Sequence, residues 1–251
     1  MFDSELSDGL NTNGYCVLRQ VFDPETVIRF RTLTQNHLEE MGKTRSQAHS
    51  FHLAGFHRFN AFCGMHSEIA QNQEIVEFLN GHYENAPHYA IGLSDITMNR
   101  SQHWHTDLLR GQYASFLGAV DPWSTSTAPC LKALLYLQDG KSLRIVPGSH
   151  LDPSPLDDDA LEQLATSDMI TQLEIKAGDV VMMDIRALHR GSTDQEMNDS
   201  ALMTDPKILV STVFGEISSP LSQAMQLGNT HRMIDWDRDF LCSNTQSPRS
   251  S

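Results

Sequence analysis

The sequence has few cysteines, few basic residues and no long apolar run. Its four cysteines (Cys16, Cys63, Cys130 and Cys242) lie far apart and form no CxxC pair. This argues against a zinc ribbon or a disulfide scaffold and favours free thiols in a reducing cytoplasm. The longest apolar runs, such as 133–137, are far too short to span a bilayer, and the first residues lack the features of a secretory signal. We therefore expect a cytoplasmic protein without a membrane partner.

Acidic side chains outnumber basic ones. The chain has 32 Asp and Glu against 18 Lys and Arg, a formal net charge of -14. Nucleic acids and anionic membranes require a basic contact face, so neither is an expected partner. A few cationic residues in a pocket would still be enough to bind an anionic small molecule. The isolated cations to consider are Arg100, Arg110, Arg144, Arg186, Arg190 and Lys207.

The 251 residues fit a single domain with a sizeable core. Helical spacing of apolar residues dominates about 1–85, whereas short strands without regular strand–helix alternation fill about 86–216. This pattern predicts a mainly β fold with flanking helices, a cupin-like jelly roll of the double-stranded β-helix type. Residues 217–251 form a C-terminal extension, and its tail, 243–251, is predicted to be disordered.

The individual elements follow from apolar spacing and turn residues. The predicted strands are Gly14–Arg19, Tyr89–Leu93, Gln102–Asp107, Lys132–Leu137, Leu143–Val146, Thr171–Ile175, Asp179–Asp184 and Ile208–Phe214. Helices are predicted over 27–41 and from 74 onwards, and 45–66 is predicted as a loop. The acidic stretch 151–168 is interpreted as a surface excursion with a helical patch near 159–165.

The most informative motif is His105-Thr106-Asp107. Side chains two residues apart on a strand project from the same face, so His105 and Asp107 can reach one metal ion. Two imidazoles and one carboxylate hold Fe(II) on one side and leave the opposite positions open for oxygen and a co-substrate. The tripeptide alone is weak evidence, because an ordinary polar pair on an exposed strand looks the same.

A third ligand must come from a distant strand. Of the 12 histidines, His189 follows a Gly-Asp turn and a strand, which favours it. His103 shares the parity of His105, but it would crowd one edge of the metal. His150 ends a Pro-Gly-Ser turn, where a structural or pocket-lining role fits better.

Four segments together resemble the phytanoyl-CoA dioxygenase family of Fe(II)/2-oxoglutarate oxygenases. They are NGYCVLRQVFDPE at 13–25, WHTD at 104–107, LRIVPGSH at 143–150 and GDVVMMDIRALHRGS at 178–192. The resemblance implies a double-stranded β-helix that binds Fe(II) through His105, Asp107 and His189. It also implies that 2-oxoglutarate chelates the iron and that O2 is the oxidant. The co-substrate would be decarboxylated to succinate and CO2 while a substrate C–H bond is hydroxylated.

The chain departs from the family at one position. In the family, an arginine shortly beyond the distal histidine pairs with the far carboxylate of 2-oxoglutarate, but 193–206 contains no arginine here. We assign this role to Lys207, with a solvated lysine at a strand end as the alternative. A lysine offers a point charge rather than a bidentate fork, so the contact is less directional. Further candidate contacts are Ser192, Asn99 and Gln102 for the co-substrate and His57, Arg110 and His103 for the substrate.

These residues predict an Fe(II)- and 2-oxoglutarate-dependent dioxygenase that hydroxylates an unactivated C–H bond of a small molecule. Because Asp107 is a carboxylate rather than Gly or Ala, no coordination site is left for a halide, which favours hydroxylation over halogenation. Two alternatives stay open. One is a jelly-roll metalloenzyme that does not use 2-oxoglutarate, and the other is a non-catalytic ligand-binding protein that retains the metal site. The sequence leaves the substrate and the oligomeric state open, and its acidity favours a small polar metabolite over acyl-CoA.

Overall fold

The computed structural model describes residues 4–40, 42–43, 49–153, 160, 163 and 168–245. The helices are α1 (Ser4–Asn13), α2 (Pro24–Asn36), α3 (Cys63–Ala70), α4 (Gln73–His82), α5 (Asp194–Met197) and α6 (Pro220–Thr245). The strands are β1 (Tyr15–Leu18), β2 (Gly42–Lys43), β3 (Phe51–Ala54), β4 (His88–Met98), β5 (Leu131–Tyr136), β6 (Arg144–Ile145), β7 (Thr171–Gln172), β8 (Val180–Asp184), β9 (His189–Arg190) and β10 (Ile208–Glu216).

The described strands form two antiparallel sheets. The larger has seven strands in the order β1-β8-β5-β10-β4-β3-β2, and the smaller has three in the order β7-β6-β9. Leu134 and Tyr136 of β5 and Val181 and Met183 of β8 share one hydrophobic core with Ile145 of β6. The two sheets therefore pack face to face, and the mainly β architecture that the strand pattern predicts is confirmed.

A second core lies on the other side of the larger sheet. Leu131, Ala133 and Leu135 of β5 point into it, together with Phe30 of α2 and Ile75 of α4. Because successive side chains of a strand point to opposite faces, the intervening residues of β5 face the smaller sheet. The helices thus cover one face of the larger sheet and leave the other for the cavity between the sheets.

Helix α6 follows β10 and packs against the end of the sheets. Its Leu221 and Met225 are buried with Ile91 of β4 and Val213 of β10. An ion pair between Arg232 of α6 and Asp95 of β4 holds the helix further along. Among the described helices, none combines the length and the apolar character that crossing a membrane requires.

Several local predictions need correction. Gln102–Asp107 is not a regular strand, because the only bridge within it is the isolated one between His105 and His189, and a second isolated bridge, between Ser101 and Ser192, lies just before it. The predicted loop over 45–66 contains β3 and the start of α3. The predicted tail is helical as far as Thr245, and 246–251 lies outside the described residues, as does almost all of the helical patch near 159–165.

Candidate active site

His105, Asp107 and His189 come together between the sheets. Their candidate ligand atoms all lie within 4.8 Å of one another. Nε2 of His105 is 3.8 Å from Oδ1 of Asp107, and Nε2 of His189 is 3.5 Å from Oδ2 of the same carboxylate. Three donors bound to one face of a metal at about 2.1 Å stand about 3 Å apart. A small contraction would therefore bring all three onto one ion.

Backbone hydrogen bonds hold the two segments together. The N–H of His105 donates to the carbonyl of His189, and the N–H of His189 donates to the carbonyl of His105, both at 2.9 Å. The N–H of Asp107 donates to the carbonyl of Ile185 at 2.8 Å. Since Ile185 follows the buried strand β8 and His189 begins β9, the core that fixes these strands also fixes the HxD segment.

The second ring nitrogen of each histidine is engaged. Nδ1 of His105 lies 2.7 Å from the carbonyl oxygen of His103, and Nδ1 of His189 lies 3.0 Å from that of Ala187. A carbonyl can only accept, so Nδ1 carries the proton in both rings and Nε2 offers its lone pair towards Asp107. Outer hydrogen bonds of this kind orient metal-binding histidines.

The protonation states of the three side chains also favour the binding of a metal cation. Burial lowers the pKa of His105 to about 3, with a further contribution from His189, and burial likewise lowers the pKa of His189. Burial opposes ionisation of Asp107, but Lys132, whose Nζ donates to Oδ2 at 2.9 Å, and the two histidines hold its pKa well below the usual range. Near neutral pH the site offers two neutral imidazoles and a carboxylate, the ligand set of a divalent transition metal.

The three residues lie in a cavity of about 450 Å³, which Gln102, Arg110, Ser192 and Lys207 also line. Nζ of Lys207 is hydrogen-bonded to the hydroxyls of Ser142 and Ser192. Burial lowers the pKa of Lys207 to about 8. Within the part of the chain that the structure describes, Lys207 forms no ion pair. Lys207 and Ser192, both singled out as co-substrate contacts, are thus in direct contact.

Asn99 lies outside the cavity, contrary to its prediction as a co-substrate contact. A positive φ of 50° turns the chain there, at the end of β4. The buried amide then donates to the carbonyl of Leu202 at 2.9 Å and accepts from the backbone N–H of Lys207 at 2.8 Å. Asn99 therefore positions the backbone that carries Lys207.

His103 and His57, both predicted as substrate contacts, are not among the residues that line the cavity. The side chain of His103 is exposed. The parity argument fails because the segment that carries it is not a regular strand. His57 lies in a 3-10 turn, Phe56–Arg58, and packs against the ring of His66 at 5.1 Å between centroids.

The cavity contains functional candidates that sequence reasoning missed. Lys132 lies in an otherwise apolar strand. The only sequence signal for it is that it alternates with residues that face the helices and so faces the cavity side of the sheet. Asp95 of β4 accepts two hydrogen bonds from Arg232 of α6, at 2.9 and 2.8 Å, and lies 3.3 Å from Nε2 of His52. Trp236 of α6 lines the same wall. No local motif marks these residues, because they come from four separate elements, β3, β4, β5 and α6.

Comparison with known proteins identifies a matching family model. The model described as phytanoyl-CoA dioxygenase (PhyH) matches residues 10–195. This range contains the HxD segment and His189 but ends before β10 and α6. No curated protein sequence matches the chain.

Several solved structures share the fold. HygX from Streptomyces hygroscopicus, crystallised with nickel, 2-oxoglutarate and hygromycin B, is 17% identical, with 86% of this chain and 88% of HygX covered and a TM-score of 0.61. The α-ketoglutarate-dependent carbocyclase SnoK from nogalamycin biosynthesis is 18% identical, with 85% and 83% covered and a TM-score of 0.62. The epimerase SnoN, in complex with Fe3+, α-ketoglutarate and nogalamycin RO, is 20% identical, with 85% and 83% covered and a TM-score of 0.59. The predicted double-stranded β-helix is thereby confirmed.

Proposed function

Because the chain belongs to the phytanoyl-CoA dioxygenase family, we propose that it is an Fe(II)- and 2-oxoglutarate-dependent oxygenase that hydroxylates an unactivated C–H bond of a small-molecule metabolite. O2 is consumed, and succinate and CO2 are released. The observation that carries this proposal is the convergence of two neutral imidazoles and one carboxylate within 4.8 Å in a cavity. HygX and SnoN, which share the fold, were crystallised with a metal and the same keto acid.

His105, Asp107 and His189 are the proposed iron ligands. The two Nε2 atoms and one oxygen of Asp107 would occupy one face of the ion, and the opposite face would open into the cavity. Bound Fe(II) with 2-oxoglutarate supplies the activation of O2 and the oxidising power for the C–H bond. The chain itself orients the ligands through the carbonyls of His103 and Ala187 and keeps the two imidazole rings neutral.

Lys207 is the proposed anchor for the far carboxylate of 2-oxoglutarate. A partly buried ammonium group that contacts two serine hydroxyls and no carboxylate in the described residues is suited to accept an anionic ligand. The Ser192 hydroxyl can turn to donate to the same carboxylate, and the Gln102 amide lies in the same cavity wall. The lysine with its serine thus takes the place of the family's arginine.

We further propose that 1–251 works as one oxygenase domain in the cytoplasm. Helix α6 shares a core with β4 and β10 and lines the cavity, so the C-terminal extension is part of the same domain as the two sheets. Cys63 and Cys130 are free thiols, which suits a reducing compartment.

The experiment that tests the proposal has two steps. Anaerobic titration of 2-oxoglutarate into the Fe(II) protein should produce the weak visible absorption of a keto-acid chelate. Succinate release in air, measured across a metabolite library, should then identify a substrate, and Asp107→Ala should abolish this release. If wild-type protein gives no absorption and no succinate above background, the proposal fails.

The mass of the product tests hydroxylation against related outcomes. SnoK is described as a carbocyclase and SnoN as an epimerase. Hydroxylation adds one oxygen to the substrate, ring closure by oxidation removes two hydrogens, and epimerisation leaves the mass unchanged. We expect the added oxygen, and labelling from 18O2 would identify its source.

A further inference from the structure

Three guanidinium groups face the cavity beside the proposed iron site. Arg100 and Arg110 lie on either side of the HxD segment, and Arg232 comes from α6. Asp95 pairs with Arg232 through both carboxylate oxygens. Arg100 and Arg110 form no ion pair with the residues that the structure describes. Burial lowers the pKa of Arg100, and although Asp95 opposes this, Arg232 and Arg110 lower it further, so the three groups are close enough to repel one another.

The cavity carries an excess of positive charge in an acidic protein. Its lining contains five cations, Arg100, Arg110, Lys132, Lys207 and Arg232, against the carboxylates of Asp95 and Asp107. Fe(II), Asp107 and the two carboxylates of 2-oxoglutarate would together leave one negative charge, which Lys207 offsets. Asp95 offsets Arg232. Even with the iron and co-substrate bound, the charges of the lining would therefore sum to a net positive charge, to which Arg100, Arg110 and Lys132 contribute.

An uncompensated cation in a cleft favours an anionic ligand for two reasons. Burial removes Arg100 from water at a cost in free energy that an opposite charge offsets, whereas Arg110 is exposed. Low-dielectric walls also concentrate the field of the lining charges, which raises the local concentration of oppositely charged ligands. Lys132 is already bound to Asp107, so Arg100 and Arg110 are the groups available to a ligand.

We propose that the substrate of this oxygenase is an organic anion whose carboxylate or phosphate binds to Arg100 and Arg110. The inference rests on the proposed function and names the substrate class for the same site. Planar guanidinium groups bind both kinds of anion through paired N–H donors. Because the two arginines line the same cavity as the proposed iron ligands, an anion bound to them would hold the rest of the substrate in the cavity with those ligands.

The wall formed by α6 indicates what the remainder of the substrate contacts. Leu109, Met225 and Trp236 line the cavity together with the arginines, and Leu109 and Met225 belong to one hydrophobic cluster. An aliphatic or aromatic body would pack against these side chains while its charged end reaches the arginines. The substrate is therefore expected to carry an apolar part as well as its anion.

Calorimetric titration of the anaerobic Fe(II) protein, saturated with 2-oxoglutarate, tests this proposal. The probes are benzoate, phenyl phosphate and uncharged benzamide, which share an aromatic ring of similar size. At least one anion should bind ten times more tightly than benzamide, and the tighter one distinguishes carboxylate from phosphate. The double variant R100Q/R110Q should lose at least ten-fold in anion affinity. Arg29→Gln, which removes an exposed guanidinium that pairs with Glu68 on α3, should bind like the wild type.

Two results would overturn the proposal: neither anion binds the wild type more tightly than benzamide does, or R100Q/R110Q retains wild-type anion affinity. The visible absorption of the keto-acid chelate is recorded in the same samples. Its persistence shows that the probe has not displaced 2-oxoglutarate. If the absorption of the chelate does not form, the proposed function is contradicted. The comparison of anion affinities would still show whether Arg100 and Arg110 bind an anion.

Discussion

Nζ of Lys132 lies 2.9 Å from Oδ2 of Asp107, so a cation is hydrogen-bonded to a proposed metal ligand. Oδ2 also lies 3.5 Å from Nε2 of His189, while Oδ1 faces Nε2 of His105 at 3.8 Å. The lysine thereby fixes the plane of the carboxylate. It also adds positive charge beside the position of a divalent ion. The orientation of Asp107 therefore favours metal binding, whereas the repulsion between the two cations opposes it.

Two substitutions of Lys132 separate these effects. Lys132→Gln and Lys132→Met both remove the charge, but only glutamine keeps an N–H donor for Asp107. Loss of an outer hydrogen bond to a metal ligand costs about 10–100-fold in metal affinity, so we expect the methionine variant to bind Fe(II) at least ten-fold more weakly than the glutamine variant. Anaerobic metal titration measures both. Equal affinities would mean that the hydrogen bond does not orient Asp107.

Loss of a proposed ligand should abolish metal binding without unfolding the protein. His189→Ala removes one of three ligands and is expected to weaken Fe(II) binding by at least 100-fold. His103→Ala is the matched control, because His103 is exposed and only two residues from His105. Metal titration with circular dichroism checks both variants. Equal metal affinity in the two would contradict the ligand assignment.

The pKa of Lys207 predicts how binding of 2-oxoglutarate depends on pH. Burial lowers this pKa to about 8, so the ammonium is charged below pH 8 and becomes neutral above it. A bound carboxylate favours the charged form, so the Kd for 2-oxoglutarate should rise above pH 8, by up to about ten-fold per pH unit. Titrations between pH 7 and 9.5 measure the slope. Lys207→Met should bind more weakly with a flatter profile, and an identical slope in this variant would assign the titration to another group.

The ion pair between Asp95 and Arg232 should stabilise the attachment of α6. Arg232→Gln leaves a partly buried carboxylate without its bidentate partner, and we expect a loss on the order of 3 kcal/mol in the free energy of unfolding. Urea denaturation measures this value. Arg238→Gln removes an exposed guanidinium that pairs with Asp235 on the same helix and should change stability by less than about 0.5 kcal/mol. Similar losses in both variants would refute the prediction.

The proposed metal ligands were accessible from the sequence because each lies in a short motif. His105 and Asp107 share a tripeptide, and His189 follows a turn and a buried strand whose apolar residues are plain in the sequence. Lys207 is proposed as the co-substrate anchor from the position at which the family has an arginine. Backbone hydrogen bonds between His105 and His189 pair these segments. The predicted fold implies that the segments meet, but the sequence does not show which residues form the hydrogen bonds.

The remaining cavity residues depend on tertiary structure. The inward direction of Lys132 is evident only once the pairing of β5 with its neighbours is known. Arg232 meets Asp95 across 137 positions of the chain, and no local pattern connects them. The apolar residues of α6 follow no clear helical stripe, so its helix was not predicted. The inward direction that strand parity predicts for His103 does not occur, because its segment is not a regular strand and its side chain is exposed.

The contribution of α6 to the cavity wall affects how substrate choice can change among related proteins. The proposed iron ligands all come from 105–189, within the matched family segment, whereas Met225, Asn229, Arg232 and Trp236 of the cavity wall come from the helix after it. Part of the cavity wall thus comes from a different stretch of the chain than the proposed iron ligands, whereas Arg100 and Arg110 lie in the same stretch as those ligands. Exchange of the helix between related enzymes would alter which molecules are accepted while the oxidising centre stays intact.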